Sequence, residues 1–480
     1  MSVARSSLWA IAQSVSTQIA AMAGSVVLAR LLSPEAFGLL GMATIFTGLV
    51  AVIQEVGMGS YLIYKQQASP SFIPTANFMN LAISAVLTLI LVLGAKPISS
   101  FYGAAEVETI VYYIAAGVML GSFGMTAKSY FQKIMKFRRL ALTDLSAELL
   151  CTAAAIALAL NGQTIPAITA KFLVRPALQT LILLCGPECR IFLRLRFDRA
   201  VVREMTGYSL PLILSQMLIY LSSVADYLVV GKTMGSRVLG LYTMAFTWAF
   251  LIRTYVSGQI ARVMFSEFSR IQGDPAQIRN QYLRLMEVMA FALFPLCTGF
   301  CLLAPEFVAT LYGDAWKEAV PPMRLLMAAG LASGLGTVSG ALFKSLGRPD
   351  YELKLFSVMF VVTCGMLYAG SYFGILGVCA AVLAENLIVL VIRSWLVAKL
   401  LKLAMLRYVA CFVPSAASAL GMAGVYLLAT ALPEAGLPAP VRLVVWSLIL
   451  SAVYLALSRF LNRPAYRMVK QRLFPIGQNG

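Results

Sequence analysis

The sequence predicts an all-α polytopic membrane protein with about 14 transmembrane helices. Of its 480 residues, 60% are hydrophobic and 12% are charged, and the mean hydropathy is +0.83. A soluble domain carries about 45–50% apolar and about 25% charged residues, so this chain is too apolar for water alone. Its apolar residues also form continuous runs of roughly 20, the length of a bilayer span.

Pro, Gly or charged residues separate these runs. They are rich in Leu, Ala and Gly and lack the strict alternation of a β-barrel, so each run is expected to form a helix. The first run begins at Leu8 and is too long for the apolar part of a signal peptide, which predicts a retained first span. In chain order, the predicted spans lie near 8-29, 36-57, 74-94, 108-127, 140-160, 164-184, 208-231, 238-261, 285-311, 324-343, 354-373, 375-392, 408-430 and 441-459.

The basic residues indicate the orientation of these spans. With the N-terminus inside, 28 of the 38 basic residues fall in cytoplasmic segments and 7 fall in external segments. This asymmetry follows the positive-inside rule and predicts an even number of spans with both termini in the cytoplasm. The net charge of +18 is therefore attributed to orientation and to contact with anionic membrane lipids, and no nucleic-acid partner is expected.

The chain contains an internal repeat. The segment from Leu28 to Leu39 recurs in outline from Val230 to Leu241, at a shift of 202 residues. Both segments join a long helix to the next one, which predicts two lobes of six helices in the same orientation. The predicted division is an N-terminal lobe at 1-188, a basic cytoplasmic linker at 189-204, a C-terminal lobe at 205-400, two additional helices at 401-461 and a cytoplasmic tail at 462-480.

The repeat segments also resemble a known family. Residues 29–39 (ARLLSPEAFGL) and 55–59 (EVGMG) look like the N-terminal signature of polysaccharide transporters. Residues 226–232 (DYLVVGK) and 240–245 (GLYTMA) are similar to their seventh-span signature. These proteins are oligosaccharide flippases of the multidrug/oligosaccharidyl-lipid/polysaccharide exporter superfamily, and the exopolysaccharide and lipopolysaccharide exporters fit best.

The resemblance implies a location and a mechanism. It implies a bacterial inner-membrane protein whose two lobes alternately open a central cavity to either face. Its cargo would be an oligosaccharide linked to a polyprenyl diphosphate such as undecaprenyl diphosphate. Membrane lipids and this lipid-linked oligosaccharide are the expected partners, together with the polysaccharide polymerase and chain-length machinery.

Three basic residues inside predicted spans are candidates for binding the diphosphate: Lys171, Arg175 and Arg253. Charge within a span is costly and usually faces a cavity or a partner. Lys171 and Arg175 are four residues apart, so they share one helix face and are spaced to clamp two phosphate groups. In the alternative interpretation, Arg175 pairs with a carboxylate such as Glu148 or Asp144.

Two further cations, Arg30 and Lys232, occupy equivalent positions at the external end of the first helix of each lobe. They are candidates for binding the diphosphate as it emerges. The alternative is that they stabilise the C-terminal ends of helices, where a positive charge is favoured.

Acidic residues in or at the ends of spans are candidates for coupling transport to a proton or sodium gradient, because a desolvated carboxylate titrates readily when its neighbours change. Asp226 is the first candidate, and the alternative is an ion pair with another helix. A flippase driven only by polymerisation outside the cell needs no such group. The other candidates are Glu55, Glu148 and Glu385.

Four glycines crowd the tenth predicted span, and they favour close helix packing or flexibility for lobe movement. They are Gly330, Gly334, Gly336 and Gly340. The chain has no histidine, its eight cysteines do not form a metal-binding pattern, and no phosphate-binding loop is present, so neither a metal nor a cofactor is expected.

Three other functions fit the hydropathy. A multidrug cation antiporter of the same superfamily would share the fold, but a net anionic cavity would suit its substrates. A flippase for lipid II is a third transport function with the same chemistry. A membrane glycan polymerase or ligase usually carries a large external loop, whereas the external connections predicted here have roughly a dozen residues. The sequence therefore favours a transporter over an enzyme.

Overall fold

The computed structural model describes residues 3–54, 61, 71–185, 192, 194–431, 437–463 and 466. Within these ranges all regular structure is helical, and thirteen helices are long and apolar enough to cross a membrane. One of them, Arg199–Arg270, has 72 residues, which is enough for two spans of about 20 residues each. It contains the seventh and eighth predicted spans. The predicted all-α polytopic fold is thus confirmed.

The chain divides into two compact units, Met1–Gly240 and Leu241–Gly480, called here the first and second unit. The lobe, linker and tail boundaries given above remain predictions. The helices of the first unit are α1 Val3–Leu31, α2 Pro34–Ala51, α3 Phe72–Tyr102, α4 Glu106–Lys133, α5 Phe137–Leu160, α6 Thr164–Leu184 and most of α7, Arg199–Ile252.

Local sequence explains where several of these helices begin and end. The Ser33 side chain caps α2 by accepting a hydrogen bond from the backbone N–H of Ala36, and Pro34 follows at the first helical position. Helix α3 ends at Gly103, whose φ of 68° lies in the left-handed region. Helix α7 is kinked at Gly235, where φ is 81°. In the first unit, α4 packs against α3 and α6, and α1 packs against α5.

The two repeat segments contact each other within the first unit. A methyl group added at Gly38 would overlap the main-chain carbonyl of Ser236, and one added at Gly240 would overlap the carbonyl of Pro34. A shift of 202 residues converts Gly38 into Gly240 and Pro34 into Ser236, so each contact is the counterpart of the other. Reciprocal contacts of this kind are produced by a two-fold relationship.

The second unit continues from α7 through a π-helical segment, Arg253–Ser257. The candidate span that includes α11 is the most enclosed one of this unit, because 72% of its most apolar stretch is buried. Helix α11 packs against α8, α9 and α13. The remaining helices are α8 Gly258–Arg270, α9 Pro275–Leu302, α10 Ala304–Leu311, α11 Val320–Ser345, α12 Pro349–Ser371, α13 Gly374–Leu400, α14 Met405–Ala410, α15 Val413–Thr430 and α16 Ala439–Leu461, with a 3₁₀ turn at Asp314–Ala319.

The C-terminal end of the twelfth span differs from the prediction, and this changes where a basic residue lies. The twelfth span was predicted to stop at residue 392, so Arg393 was assigned to a cytoplasmic connection. In the structure α13 runs on to Leu400, and Arg393 is buried within it. The prediction was wrong because it ended the span just before this basic residue, whereas the charge has partners inside the unit.

Candidate functional site

A cavity of about 300 Å³ lies in the first unit among α2, α4 and α6. Three basic side chains line it: Lys128 from α4, and Lys171 and Arg175 from α6. We call it the cationic cavity. Lys171 and Arg175 were predicted to share one helix face, and both lie on the wall of this cavity. Lys128 was assigned by sequence only to a cytoplasmic connection.

Glycines on α4 let α6 approach closely enough to form the cavity wall. A methyl group at Gly117 would overlap the carbonyl of Phe172, and one at Gly124 would lie 2.8 Å from the Thr180 hydroxyl. Pro176 has no N–H to donate to the Phe172 carbonyl, four residues earlier. This carbonyl, which lacks its usual helical donor, is the one that packs against Gly117. The two helices are therefore fitted together along a glycine face.

Arg175 both lines the cavity and forms an ion pair. Its Nη1 lies 3.0 Å from Oε2 of Glu148 on α5; the Glu148 side chain is 4% exposed and that of Arg175 is 30% exposed. Of the two carboxylates considered from sequence, Glu148 is therefore the partner. Asp144 instead accepts hydrogen bonds from the side-chain amides of Gln179, at 2.8 Å, and Gln13, at 2.5 Å.

Lys171 lies one helical turn before Arg175 and is exposed. Within the ranges described above, no carboxylate lies within ion-pair distance of its Nζ. Among the described residues, no acidic side chain lines the cationic cavity. The described residues therefore give the cavity a positively charged wall, and the Arg175 charge is paired with Glu148.

Arg253 lies in the second unit, at the start of the π-helical segment. Its guanidinium carbon is 5.9 Å from the centre of the Phe250 ring, and Glu385 of α13 attracts it electrostatically. Glu385 also accepts a hydrogen bond of 2.7 Å from the amide of Asn386. The structure thus brings one predicted cation and one predicted coupling acid into the same region. A π-helical insertion is itself frequent at functional sites.

A charged network nearby was not found from sequence. Glu352 of α12 lies 3.1 Å from the Lys344 ammonium and 3.8 Å from the Arg393 guanidinium, and Arg393 also donates to the carbonyl of Gly336 at 2.9 Å. A methyl group at Gly340 would overlap the Glu352 carboxylate. The crowded glycines of α11 were the available signal, because two of them make room for this network.

The remaining candidates lie apart from the cationic cavity. Lys232 donates a 2.5 Å hydrogen bond to the carbonyl of Phe101, and its ammonium stands 4.8 Å from the centre of that residue's ring. It therefore binds the C-terminal end of α3. Arg30 is exposed in the last turn of α1. Asp226 is buried in α7, where its carboxylate accepts from the N–H of Tyr227. Glu55 lies outside the described residues.

Across the described ranges, no three Cys, Asp or Glu side chains are placed to hold a metal ion together. The cations of the cationic cavity can bind an anion in two ways: a lysine ammonium attracts it as a point charge, and an arginine guanidinium can also donate two parallel hydrogen bonds to a phosphate.

Comparison with known proteins relates the chain to polysaccharide production. The sequence profile of a family described as "Polysaccharide biosynthesis protein" matches residues 27–321. The lipopolysaccharide biosynthesis protein WzxC of Escherichia coli K12 is 24% identical over 366 residues, covering 75% of this chain and 74% of that protein. The teichuronic acid biosynthesis protein TuaB of Bacillus subtilis 168 is 22% identical over 364 residues, covering 75% of each.

A third relative has a narrower match. The succinoglycan biosynthesis transport protein ExoT of Rhizobium meliloti 1021 is 27% identical over 303 residues, covering 62% of this chain and 60% of that protein.

Solved structures share the fold. The inward closed form of the lipid II flippase MurJ superposes with a TM-score of 0.78 at 14% identity, covering 95% of this chain and 99% of MurJ. An inward-facing multidrug transporter of the MATE family gives a TM-score of 0.60 at 17% identity, covering 84% and 98%. At these identities the likeness establishes the fold alone.

Proposed function

The chain belongs to the polysaccharide biosynthesis protein family, and from this premise we propose that it flips polyprenyl-diphosphate-linked oligosaccharides across a bacterial inner membrane for polysaccharide export. It is a multi-pass membrane transporter that moves its substrate across the membrane. Both termini are proposed to lie in the cytoplasm, as the distribution of basic residues predicts.

The cationic cavity is the observation that carries this proposal. A diphosphate brings concentrated negative charge into the membrane and needs fixed cations to replace its lost water. Lys128, Lys171 and Arg175 supply them around about 300 Å³. Because charges interact more strongly where water is scarce, their attraction for an anion inside the bilayer exceeds that of similar groups at a surface.

The names of related proteins support the same class of substrate. WzxC takes part in lipopolysaccharide biosynthesis, and ExoT is a transport protein of succinoglycan biosynthesis. MurJ, whose fold is shared, is a flippase for lipid II. A lipid-linked glycan that crosses the membrane before it is assembled outside is consistent with all three names.

The same cavity disfavours a multidrug cation antiporter. An organic cation would be repelled by the three basic side chains, and within the described residues no acidic side chain of the wall offsets them. A membrane polymerase or ligase is disfavoured by the connections between helices. Among the described residues, those on the proposed external side are short: 32–33, 103–105, 161–163, 372–373, and 303–319, which holds α10 and the 3₁₀ turn. None of these has the length of a catalytic domain.

Energy coupling is proposed to involve acids that already contact cations. Glu148 pairs with Arg175 at the cationic cavity, and Glu385 attracts Arg253 in the second unit. Protonation of either acid would release its cation. Asp226 and Glu55 remain candidates from sequence, with a proton or a sodium ion as the coupling ion.

Deletion of the gene in its own bacterium tests the proposed function. We expect surface polysaccharide to be lost and lipid-linked repeat units to accumulate on the cytoplasmic side. Wild-type protein supplied in trans should restore export, whereas Lys171→Gln should restore it poorly at equal membrane levels. Unchanged export in the deletion strain would overturn the proposal.

A further inference from the structure

A second cavity, of about 390 Å³, lies in the first unit against α1. It is lined by Gln13, Ser14, Thr17 and Gln18 of α1 and by Asp144 of α5; we call it the polar cavity. We infer that it binds the sugar head of the lipid-linked oligosaccharide while the cationic cavity holds the diphosphate. This inference rests on the proposed function and assigns the sugar part of the substrate to its own residues.

The side chains of the polar cavity have the chemistry that sugars require. Gln13 and Thr17, like Ser14 and Gln18, are four residues apart, so the four groups form one continuous face of α1. Two amides, two hydroxyls and one carboxylate can donate to and accept from the hydroxyls of a sugar ring. Among the described residues, a single acid and no base line the cavity, so this lining disfavours a second phosphate.

Polar side chains on a membrane helix are costly, and they mark sites that face a cavity or partner. Within the described part of the chain, the Thr17 hydroxyl is buried and has no hydrogen-bond partner. A buried hydroxyl in this state costs free energy, which a ligand hydroxyl would recover. The Gln18 amide likewise has no hydrogen-bond partner among the described residues and is available to a ligand.

The polar and cationic cavities adjoin through one chain of hydrogen bonds. Gln179 lines the cationic cavity and donates to one oxygen of Asp144, while Gln13 of the polar cavity donates to the other. Asp144, which lines the polar cavity, thus links it to a side chain that lines the cationic cavity. In a diphosphate-linked oligosaccharide the first sugar is bonded directly to phosphate, so the sugar site must adjoin the phosphate site. The arrangement of the two cavities meets this condition.

The size of the cavity is also suitable. Small-molecule sites occupy about 300–1,000 Å³, and the polar cavity falls at the lower end of that range, as expected for one or two sugar rings. Further sugars of a longer repeat unit would extend beyond it, so the inference concerns recognition of the sugars nearest the diphosphate.

Two lipid probes and two variants test the inference. The probes are undecaprenyl diphosphate without sugar and the undecaprenyl-diphosphate-linked oligosaccharide extracted from the protein's own bacterium. Binding of each to the purified full-length protein is measured by native mass spectrometry. The variants Thr17→Val and Gln18→Leu keep the side-chain size and remove hydrogen-bonding groups. The control is Ser25→Ala on the same helix, whose hydroxyl donates to its own helix at the Met22 carbonyl.

We expect the wild type and Ser25→Ala to bind the sugar-bearing lipid at least about tenfold more tightly than the sugar-free lipid. Thr17→Val and Gln18→Leu should lose most of that preference while binding the sugar-free lipid as well as the wild type. Lys171→Gln should weaken binding of both probes.

The outcomes separate this inference from the proposed function. A wild type that binds neither probe would overturn the proposed function and the inference with it. A wild type that binds both probes equally would overturn the sugar site alone. The sugar site would also be overturned if Thr17→Val and Gln18→Leu weakened binding of both probes equally. Loss of the preference for the sugar-bearing lipid in Ser25→Ala would overturn it as well.

Discussion

Arg175 lies 3.0 Å from Glu148 while 30% of its side chain remains exposed at the wall of the cationic cavity. One guanidinium therefore pairs with a buried carboxylate and also faces the proposed diphosphate site. It has five N–H donors, enough to bind both groups at once or to exchange one for the other. The proposed diphosphate site and Glu148 therefore share this residue.

This pair predicts non-additive effects on stability. Arg175→Gln alone leaves the Glu148 charge buried without a counterion, and we expect a loss of about 1–3 kcal/mol, below the about 3–5 kcal/mol of a fully buried pair because Arg175 is partly exposed. Adding Glu148→Gln removes the buried charge and should recover most of the stability. Thermal unfolding of the detergent-purified single and double variants measures this, and purely additive losses would argue against the pair.

Lys171 is predicted to affect transport without affecting stability. Because it has no carboxylate partner among the described residues, Lys171→Gln removes no ion pair of the fold. When it is expressed in the deletion strain, this variant should restore about tenfold less export, or even less, than the wild-type protein does, with an unchanged unfolding temperature. Lys96→Gln on α3, an exposed lysine outside the cationic cavity, is the matched control. Equal export by the two variants would remove Lys171 from the mechanism.

The network around Glu352 predicts that alanine substitutions at two glycines of the second unit have different effects on stability. Gly340→Ala would push the Glu352 carboxylate away from Lys344 and Arg393, and we expect a loss of about 1–3 kcal/mol from crowding. Gly365 of α12 has open space around it, so Gly365→Ala should be neutral or slightly stabilising. Comparable unfolding temperatures for both variants would contradict the close contact.

The reciprocal contact of the repeats predicts matched effects at two positions. Gly38→Ala and Gly240→Ala each overlap a main-chain carbonyl, which cannot move as a flexible side chain does, so both should lower the unfolding temperature by similar amounts. Gly207→Ala on α7, where the added methyl group meets nothing within 4 Å, should not. A clear difference between Gly38→Ala and Gly240→Ala would show that the two contacts are not equivalent.

Sequence alone was sufficient for features fixed by local composition. Spans follow from apolar length, and the shared face of Lys171 and Arg175 follows from helical spacing, so these could be predicted. The choice between Glu148 and Asp144 as the partner of Arg175 depends on the axial position of α5 relative to α6, because the two acids share one face of α5. Spacing within one helix does not determine that position. The burial of Arg393 was missed because its partners, Glu352 and the Gly336 carbonyl, come from two other helices.

Transbilayer movement in reconstituted vesicles tests the central claim most directly. Lipid-linked oligosaccharide from the protein's own bacterium would be placed in one leaflet, and exposure of its glycan in the other leaflet followed with a membrane-impermeant lectin. We predict that wild-type protein moves the glycan faster than protein-free vesicles do, and that the combined Lys171→Gln, Arg175→Gln and Glu148→Gln variant does not. Movement by wild type no faster than in protein-free vesicles would contradict the account.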